Sequence, residues 1–445
     1  MADEITGSAR ATRTDVREAQ VREAQEAHGG SMAPGLVDET GHRRVDPAPT
    51  ADAELAFLTG DLYQFEALLD GPERDTLLRV REFLQREVVP FANDWWARAE
   101  FPTELVKGYA ELGIAGLSFP DGPAPRPSSL LSGFLALEMA HADASLATFF
   151  GVHTGLAMGS IAACGSPGQR DRWLPPMSRM EQLGAFALTE PEGGSDVAAG
   201  LRTTARRDGD TWILNGRKRW IGNATFADLI VVWARDVSDN QVKGFVVERG
   251  TEGFTATRIE NKIALRTIPN ADVELVDCRV PEANRLERAR SFRDTADVLR
   301  RTRSGVAWQA VGVMLAAYEL ALDYARTRHQ FGRPIGGFQL VQDLLVRMLG
   351  NTTASLAMVV RLAQLQDQGA YRDEHSALAK AYCTTRMREV VGWAREVLAG
   401  NGILLDHSIG RFVADAEAIY SYEGTREINT LIVGRAITGL SAFVG

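Results

Sequence analysis

The spacing of apolar residues changes period twice along this chain, and those two changes leave few folds open to it. From Thr76 onward Leu77, Val80, Leu84 and Val88 fall at helical spacing, and Pro90 is set to stop or kink the helix. The runs Leu130 to His141 and Leu146 to Cys164 are apolar enough for buried helices, and Gly165-Ser-Pro-Gly reads as the turn that follows them. Near Gly184 short β-branched and aromatic runs take over, at Thr211 to Ile213, Leu229 to Trp233, Phe245 to Val247 and Val273 to Val276. Asp208-Gly-Asp, Asn215-Gly and Gly250-Thr-Glu-Gly supply turn chemistry between them, which predicts hairpins in a compact antiparallel β domain ending near Pro281. After Phe292 the helical period returns: Val306, Val313, Ala317, Leu320 and Tyr324 share one face. Long helices are expected near 338–368 and 374–398, and a last one from about Thr425. The expected fold is mainly α with a central β domain: helical over 51–183, β over 184–287, and a C-terminal four-helix bundle over 288–445. Residues 1–50 mix Arg with Asp and Glu and repeat Val-Arg-Glu-Ala-Gln at Val16 and Val21, the pattern of a disordered tail with some helical tendency.

Charge narrows the function. A formal net charge of -9 disfavours a surface that neutralises nucleic-acid phosphates or anionic lipid. Cys164, Cys278 and Cys383 are odd in number and far apart, so they offer neither a disulfide framework nor a metal site and fit a reducing compartment. The seven histidines lack ligand spacing, and no metal is expected. No apolar run is read as long enough to span a bilayer, and the N-terminus lacks the signal-peptide pattern. A soluble, cytoplasmic protein without nucleic-acid or membrane partners is the expectation.

Three segments carry candidate chemistry. Phe186-Ala-Leu-Thr-Glu-Pro-Glu-Gly-Gly-Ser-Asp196 opens as a strand and closes on two glycines. Gly193 and Gly194 allow backbone dihedrals that aim N–H groups at an anion, and Ser195 adds a hydroxyl, although the same residues also make a plain surface turn. Lys218-Arg-Trp-Ile-Gly-Asn223 places Trp220 on or just beyond a strand, as the wall of a flat cofactor or as a core tryptophan. Ile419-Tyr-Ser-Tyr-Glu-Gly-Thr-Arg-Glu-Ile428 sets Glu423 among apolar residues ahead of the helix cap Thr425. There it is either a general base with a raised pKa or a solvated carboxylate favoured by the helix dipole.

In order and spacing the three segments resemble the acyl-CoA dehydrogenase and oxidase superfamily, from about residue 52 to the end. Further matches are Phe91-Ala-Asn-Asp-Trp-Trp with Glu100-Phe-Pro, Arg326-Thr-Arg-His-Gln-Phe-Gly332, Phe338-Gln, Leu398-Ala-Gly-Asn-Gly402 and Gly434-Arg-Ala. The chain is most similar to the glutaryl-CoA dehydrogenase branch and to the plant short-chain acyl-CoA oxidase, the latter through Lys218-Arg-Trp-Ile-Gly-Asn-Ala-Thr-Phe-Ala-Asp228. The resemblance implies FAD between the β domain and the C-terminal helices. Phe186, Leu188 and Thr189 would contact the flavin, Ser195 its pyrophosphate, and Trp220, Ile221 and Gly222 would flank the ring. Arg328, Phe331, Gln339 and the Gly400-Asn401-Gly402 turn would reach the FAD of a neighbouring subunit in a homotetramer, with Thr425 and Glu427 toward the adenine. Acyl-CoA would meet Ser195, Tyr422 and Gly424, with Arg303 near the CoA moiety, and Glu423 would remove the α-proton as the flavin accepts the β-hydrogen.

Relatives that carry the base on another helix place it where Thr302 stands, which leaves Glu423 as the single candidate here. Glutaryl-CoA enzymes have an arginine in place of Ala147, so a neutral, short or branched acyl chain is expected. Gly222 replaces the threonine of many dehydrogenases, as in the oxidase relative. Leu398-Ala399 varies the usual Leu-Gly-Gly-Asn-Gly turn, a change that Gly400 and Gly402 are expected to absorb. Electrons would pass to an electron-transfer flavoprotein; the alternatives are an oxidase using oxygen and a non-catalytic flavin-containing DNA-binding relative, against which the acidic balance speaks.

Overall fold

The computed structural model describes residues 58–117, 119 and 126–443, so the expected tail over 1–50 lies outside the described residues. Helix α1 (Gly71–Glu87) starts because the Asp70 carboxylate accepts the Glu73 N–H at 2.9 Å and Pro72 sits in the first turn. Its Leu77, Val80 and Leu84 are buried, one stripe at helical spacing. The N-terminal half continues through α2 (Ala92–Arg98), α3 (Leu105–Leu112), α4 (Ser129–Ala142), α5 (Ala144–Gly151), α6 (Gly159–Cys164) and α7 (Pro167–Ser178). Ser166 caps α7 in a reciprocal box with Gln169, so Gly165-Ser-Pro-Gly is the start of a helix as well as a turn. Between α5 and α6, Val152–Met158 winds as a π turn inside what the sequence presents as one helix.

Seven strands follow: β1 (Gly184–Ala187), β2 (Thr204–Asp208), β3 (Thr211–Gly222), β4 (Leu229–Asp236), β5 (Val242–Glu248), β6 (Phe254–Arg258) and β7 (Asn270–Pro281). They pair in the order β1-β4-β2-β3-β7-β6, with β5 also on β4. Two expectations fail here. The sheet is mixed, because β4 runs parallel to β1 (Gly184↔Leu229 through Ala187↔Val232) and to β2; the chain reaches β4 from β1 through the β2–β3 hairpin and from β2 through β3, and not by turns. Asn215-Gly216 is no hairpin turn but lies inside β3, at a register shift against β7. Gly216 has φ 153, and a methyl there would lie 2.5 Å from Thr203 Oγ1, so the glycine answers a close approach. Asp208-Gly-Asp does close the β2–β3 hairpin, with Gly209 at φ 62.

The C-terminal part holds α8 (Phe292–Thr327), α9 (Gln339–Asp367), α10 (Asp373–Val397), α11 (Ile409–Ser421) and α12 (Arg426–Thr438), of which α11 was not foreseen. Helix α8 packs against α10 and α4 and carries the core of this part. By length and composition two stretches among the described residues, Ala144–Cys164 and Phe292–Thr327, pass as membrane spans, contrary to expectation. Packing accounts for their apolarity: Phe149, Ala157 and Ile161 in the first, and Val311, Met314 and Leu315 in the second, are wholly buried.

Candidate active site

Helix α11 ends at Ser421 and α12 begins at Arg426, and the chain turns between them on two successive left-handed residues, Glu423 (φ 57) and Gly424 (φ 82). A non-glycine residue in that region costs of order 1–2 kcal/mol, so the corner persists only where neighbours hold it. Thr425 caps α12 by accepting the Ile428 N–H at 3.3 Å. Buried Asn429 donates from Nδ2 to the carbonyls of Gly424 (2.8 Å) and Thr425 (2.9 Å). Lys380, buried on α10, donates from Nζ to the carbonyls of Tyr420 (3.0 Å) and Gly424 (2.6 Å). The Tyr422 hydroxyl donates to Gln309 Oε1 at 2.6 Å, and Gln309 Nε2 in turn reaches the Ala147 carbonyl at 3.4 Å, which ties the corner to α8 and α5.

The Glu423 carboxylate accepts a hydrogen bond from the Thr302 hydroxyl. Burial raises its pKa above the usual carboxylate range, while the Thr302 bond and the charges of Arg303 and Lys380 pull the other way. Arg303 is itself held, its Nη1 at 2.8 Å from Asp373 Oδ1. Thus Thr302, singled out in the sequence only as a position without a carboxylate, supplies the hydroxyl that holds the Glu423 carboxylate.

The π turn joins this corner to the sheet. A methyl on Gly155 would lie 3.1 Å from Thr302 Cγ2, and one on Gly222 would lie 3.3 Å from Val152 Cγ2. One residue after Val152, His153 accepts the Gly184 N–H on Nδ1 at 3.0 Å and donates from Nε2 to the Met177 carbonyl at 3.0 Å. Burial lowers its pKa to about 4, so it is neutral in that tautomer. One wide turn therefore touches the start of β1, the end of β3 and the partner of Glu423.

Phe186 and Leu188 are buried along and just past β1, and Thr189 accepts the Arg219 N–H on its carbonyl at 2.9 Å, which sets it beside Trp220. Trp220 has φ 65 at the bulge between Lys218 and Ile221, and its side chain is 53% exposed, so it is no core tryptophan. Ile221 and Gly222 complete the strand end. Ser195 is exposed on the loop after β1. The expected glycine-dependent twist is absent: neither Gly193 nor Gly194 has a positive φ, and a methyl on either would meet nothing within 4 Å.

Two site residues escaped the sequence reading. Fully buried Lys218 donates from Nζ to the Leu188 carbonyl (3.0 Å) and to Glu190 Oε1 (2.9 Å). Glu190 also accepts the N–H groups of Arg202 (2.6 Å) and Thr203 (2.8 Å) and the Thr203 hydroxyl (2.5 Å), so this pair closes the base of the Ser195 loop. Burial takes Lys218 down to about 8, and Lys218 with these donors outweighs burial to hold Glu190 below its ordinary range. The parity of Lys218 with buried Trp212 and Leu214 on β3 was a signal that the lysine points inward and needs a partner.

The remaining predicted residues gather elsewhere. Arg328 ends α8, Gln339 begins α9, and Phe331 is 93% exposed at φ 52. In the Gly400-Asn401-Gly402 turn Asn401 donates to the Tyr324 hydroxyl at 3.0 Å, and a methyl on Gly402 would lie 2.5 Å from the Arg395 carbonyl. Contrary to expectation Ala399 itself takes the left-handed dihedral there (φ 50). Glu427 lies exposed in the first turn of α12, paired with Arg426 at 2.7 Å. Among the described residues no hydrogen bond or ion pair joins Arg328, Phe331, Gln339 or the 400–402 turn to Glu423 or Trp220, and no three metal-ligating side chains are grouped.

Three family models match the chain in succession: acyl-CoA dehydrogenase N-terminal domain over 73–181, middle domain over 185–278 and C-terminal domain over 292–438. The mitochondrial short-chain specific acyl-CoA dehydrogenase of Rattus norvegicus is 34% identical over 369 residues, 81% of this chain and 89% of that protein. A glutaryl-CoA dehydrogenase structure from Mycobacterium smegmatis matches with a TM-score of 0.83 at 38% identity, over 86% of this chain and 99% of that one. A second, in complex with FADH2, matches with a TM-score of 0.84 at 32% identity, over 87% and 100%. Helices, curled sheet and helices thus follow one another in the order of the three matched domains, and the chain belongs to the acyl-CoA dehydrogenase family of oxidoreductases.

Proposed function

We propose that this protein is an FAD-dependent dehydrogenase that converts a neutral, short or branched acyl-CoA to the trans-2-enoyl-CoA, with Glu423 as the base. The observation that carries the reading is a carboxylate of raised pKa, bonded through its side chain to a single hydroxyl and set on a strained corner one π turn away from the open end of β3. Such a group takes up a proton from a weak carbon acid more readily than an ordinary carboxylate. The residues across the turn fit a flavin: a half-open indole at Trp220, a bare backbone at Gly222, and hydroxyls at Thr189 and Ser195 as hydrogen-bond donors. Bound FAD supplies the hydride acceptor. Phe186 and Leu188 would keep that wall dry, Ser195 would hold the phosphates, and Thr302 would steady the charged form of Glu423.

Two features support a neutral acyl chain. Ala147 is buried behind Gln309 and Tyr422 with no cation among them, and Arg303 and Lys380 are engaged with Asp373 and with backbone carbonyls. Large exposed apolar side chains on the C-terminal helices and their connections, among them Phe331, Leu340, Ile403 and Ile437, support a homotetramer in which Arg328, Phe331, Gln339 and the 400–402 turn serve the neighbouring subunit's FAD. Electron-transfer flavoprotein as acceptor and a cytoplasmic location complete the reading; three buried free cysteines fit a reducing compartment. Gly222, bare where many dehydrogenases carry threonine, favours oxidase activity as the second reading.

The test is anaerobic titration of the FAD-loaded protein with straight and branched acyl-CoA from C4 to C16, followed by admission of air. Flavin bleaching that persists in air supports the dehydrogenase, and peroxide equal to enoyl product assigns the oxidase. Glu423→Gln, folded and loaded, is expected to slow bleaching by on the order of 10² to 10⁴; reduction at the wild-type rate would overturn the assignment of the base.

A further inference from the structure

Lys380 is wholly buried on α10, with its ammonium under the corner that carries Glu423. Its two acceptors bracket the base: the Tyr420 carbonyl at 3.0 Å lies three residues before it, and the Gly424 carbonyl at 2.6 Å one residue after. Tyr420 contributes one of the carbonyls that the last turn of α11 leaves without a helical partner. The Gly424 carbonyl is shared with the Asn429 amide. A neutral amide satisfies such carbonyls at far lower desolvation cost than an ammonium, so the charge itself calls for a role. No direct bond joins Lys380 to the Glu423 side chain, yet the two charges interact through space.

We propose that Lys380 is a positioning residue for the base: it fixes the left-handed corner through the Tyr420 and Gly424 carbonyls and brings a positive charge to the Glu423 carboxylate. The proposal rests on reading Glu423 as the base.

Of the other groups facing Glu423, none among the described residues both carries a positive charge and bonds the carbonyls of the corner. On α8, Thr302 is neutral, and Arg303, whose charge acts on Glu423 more strongly than that of Lys380, is bonded to Asp373 of α10 and not to the corner. On α12, Glu427 acts on Lys380 from an exposed position and pairs with Arg426. In the corner itself Tyr422 stays a neutral phenol, because burial pushes its ionisation up. Burial lowers Lys380 to about 8 while Glu423 opposes the loss of its proton, so the two groups titrate as a coupled pair.

Three substitutions in the holoprotein separate charge from scaffold: Lys380→Met removes both, Lys380→Gln keeps a neutral donor, and Lys380→Arg keeps the charge. The first readout is isotope-edited infrared titration of the protein labelled with carboxyl-13C glutamate, the Glu423 band being assigned by its loss in Glu423→Gln. The second is the pH profile of flavin reduction by acyl-CoA. In Lys380→Met and Lys380→Gln the Glu423 titration is expected to move upward by on the order of one unit, with the acid limb of the profile following it, while Lys380→Arg stays near wild type. If Lys380→Met fails to fold, Lys380→Gln carries the test. An unmoved titration in a folded variant, whatever its rate, overturns the proposal. Should no acyl-CoA bleach the wild-type flavin, the functional reading fails by itself, and the infrared titration still decides whether Lys380 acts on Glu423.

Discussion

Replacing Thr302 by alanine should raise the pKa of Glu423, and the size of the shift follows from counting protons. The Thr302 hydroxyl has one proton and three acceptors in reach: the Glu423 carboxylate, the Leu299 carbonyl at 3.1 Å and the Val298 carbonyl at 3.3 Å. While Glu423 is ionised the hydroxyl donates to it. Once Glu423 is protonated its own O–H donates to the hydroxyl oxygen, and the hydroxyl turns back to the helix carbonyl. A bond to the charged form is worth about 1.5–3 kcal/mol and one between neutral groups about 0.5–1.5 kcal/mol, so the bond favours ionisation by roughly 1 kcal/mol. At about 1.4 kcal/mol per unit, Thr302→Ala raises the Glu423 pKa by roughly 0.5–1 unit. The assay is the rate of flavin reduction against pH: the acid limb moves up by that amount, and the plateau rate at higher pH changes little. Thr302→Ser restores the limb. Alanine also removes the Cγ2 contact with the π turn at Gly155, costing about 0.8 kcal/mol of stability. An acid limb that stays in place or moves down refutes the reasoning.

The remaining predictions concern stability. Ala399→Gly relieves a left-handed alanine (φ 50) and should add about 0.5–1 kcal/mol in urea unfolding, the steric gain of roughly 1–2 kcal/mol less the entropy that glycine loses on folding; destabilisation refutes it. Asp415 accepts the Trp96 indole N–H at 2.9 Å and the Leu265 N–H at 2.6 Å on Oδ1, while Oδ2 is buried without a partner, and burial with nearby Asp143 raises its pKa from 3.8 to about 7. The stability contributed by its raised pKa is full below about 3.8 and is lost as pH rises through about 7, by at most ~1.4 kcal/mol per pH unit. Asp415→Asn keeps an acceptor and does not titrate, so its stability relative to wild type should climb across that window and level off above it; a flat difference in melting temperature across pH refutes this.

What was legible in the sequence is what neighbouring residues decide. Thr425 announces α12 because a hydroxyl cap acts within three residues, and the stripe of Leu77, Val80 and Leu84 announces α1 because burial repeats at the helical period. Glu423 stood out through its apolar surroundings and the glycine after it. Several of the misreadings concern which groups the fold brings together. Asn215-Gly216 has the chemistry of a turn, yet Thr203 and β7 oblige it to remain strand. The π turn differs from an α-helix only in which carbonyl each N–H meets, a choice that leaves no residue-type signature. Lys218 declared by parity that it faces inward, but the identity of Glu190 as its partner came only with the fold. Thr302 was read only as a place where a base is missing, since 121 residues separate it from the carboxylate it serves.

Three lysines drawn into the fold show how such a site is held together. Lys218 donates to the Leu188 carbonyl on the β1 side. Lys262 donates to the carbonyls of Leu265 (2.7 Å) and Ile268 (2.6 Å) and to Asn270 Oδ1 (2.6 Å), and the Asn270 amide reaches the Trp220 carbonyl at 3.4 Å. Lys380 holds the corner of Glu423. Each ammonium reaches a place where the chain leaves regular structure and carbonyls lose their ladder or helical partners, and on its long stem it offers three donors to such carbonyls at once. Burial lowers all three to about 8, which means that each charged lysine is held against its desolvation cost at neutral pH. Because the folded pKa lies below the unfolded one, that cost relaxes as pH rises past about 8, so losing the proton does not by itself unfold the protein. What is lost with it is one donor from each clamp and the countercharge beside Glu190 and Glu423. The geometry of the site is therefore more sensitive to alkali than the fold that contains it.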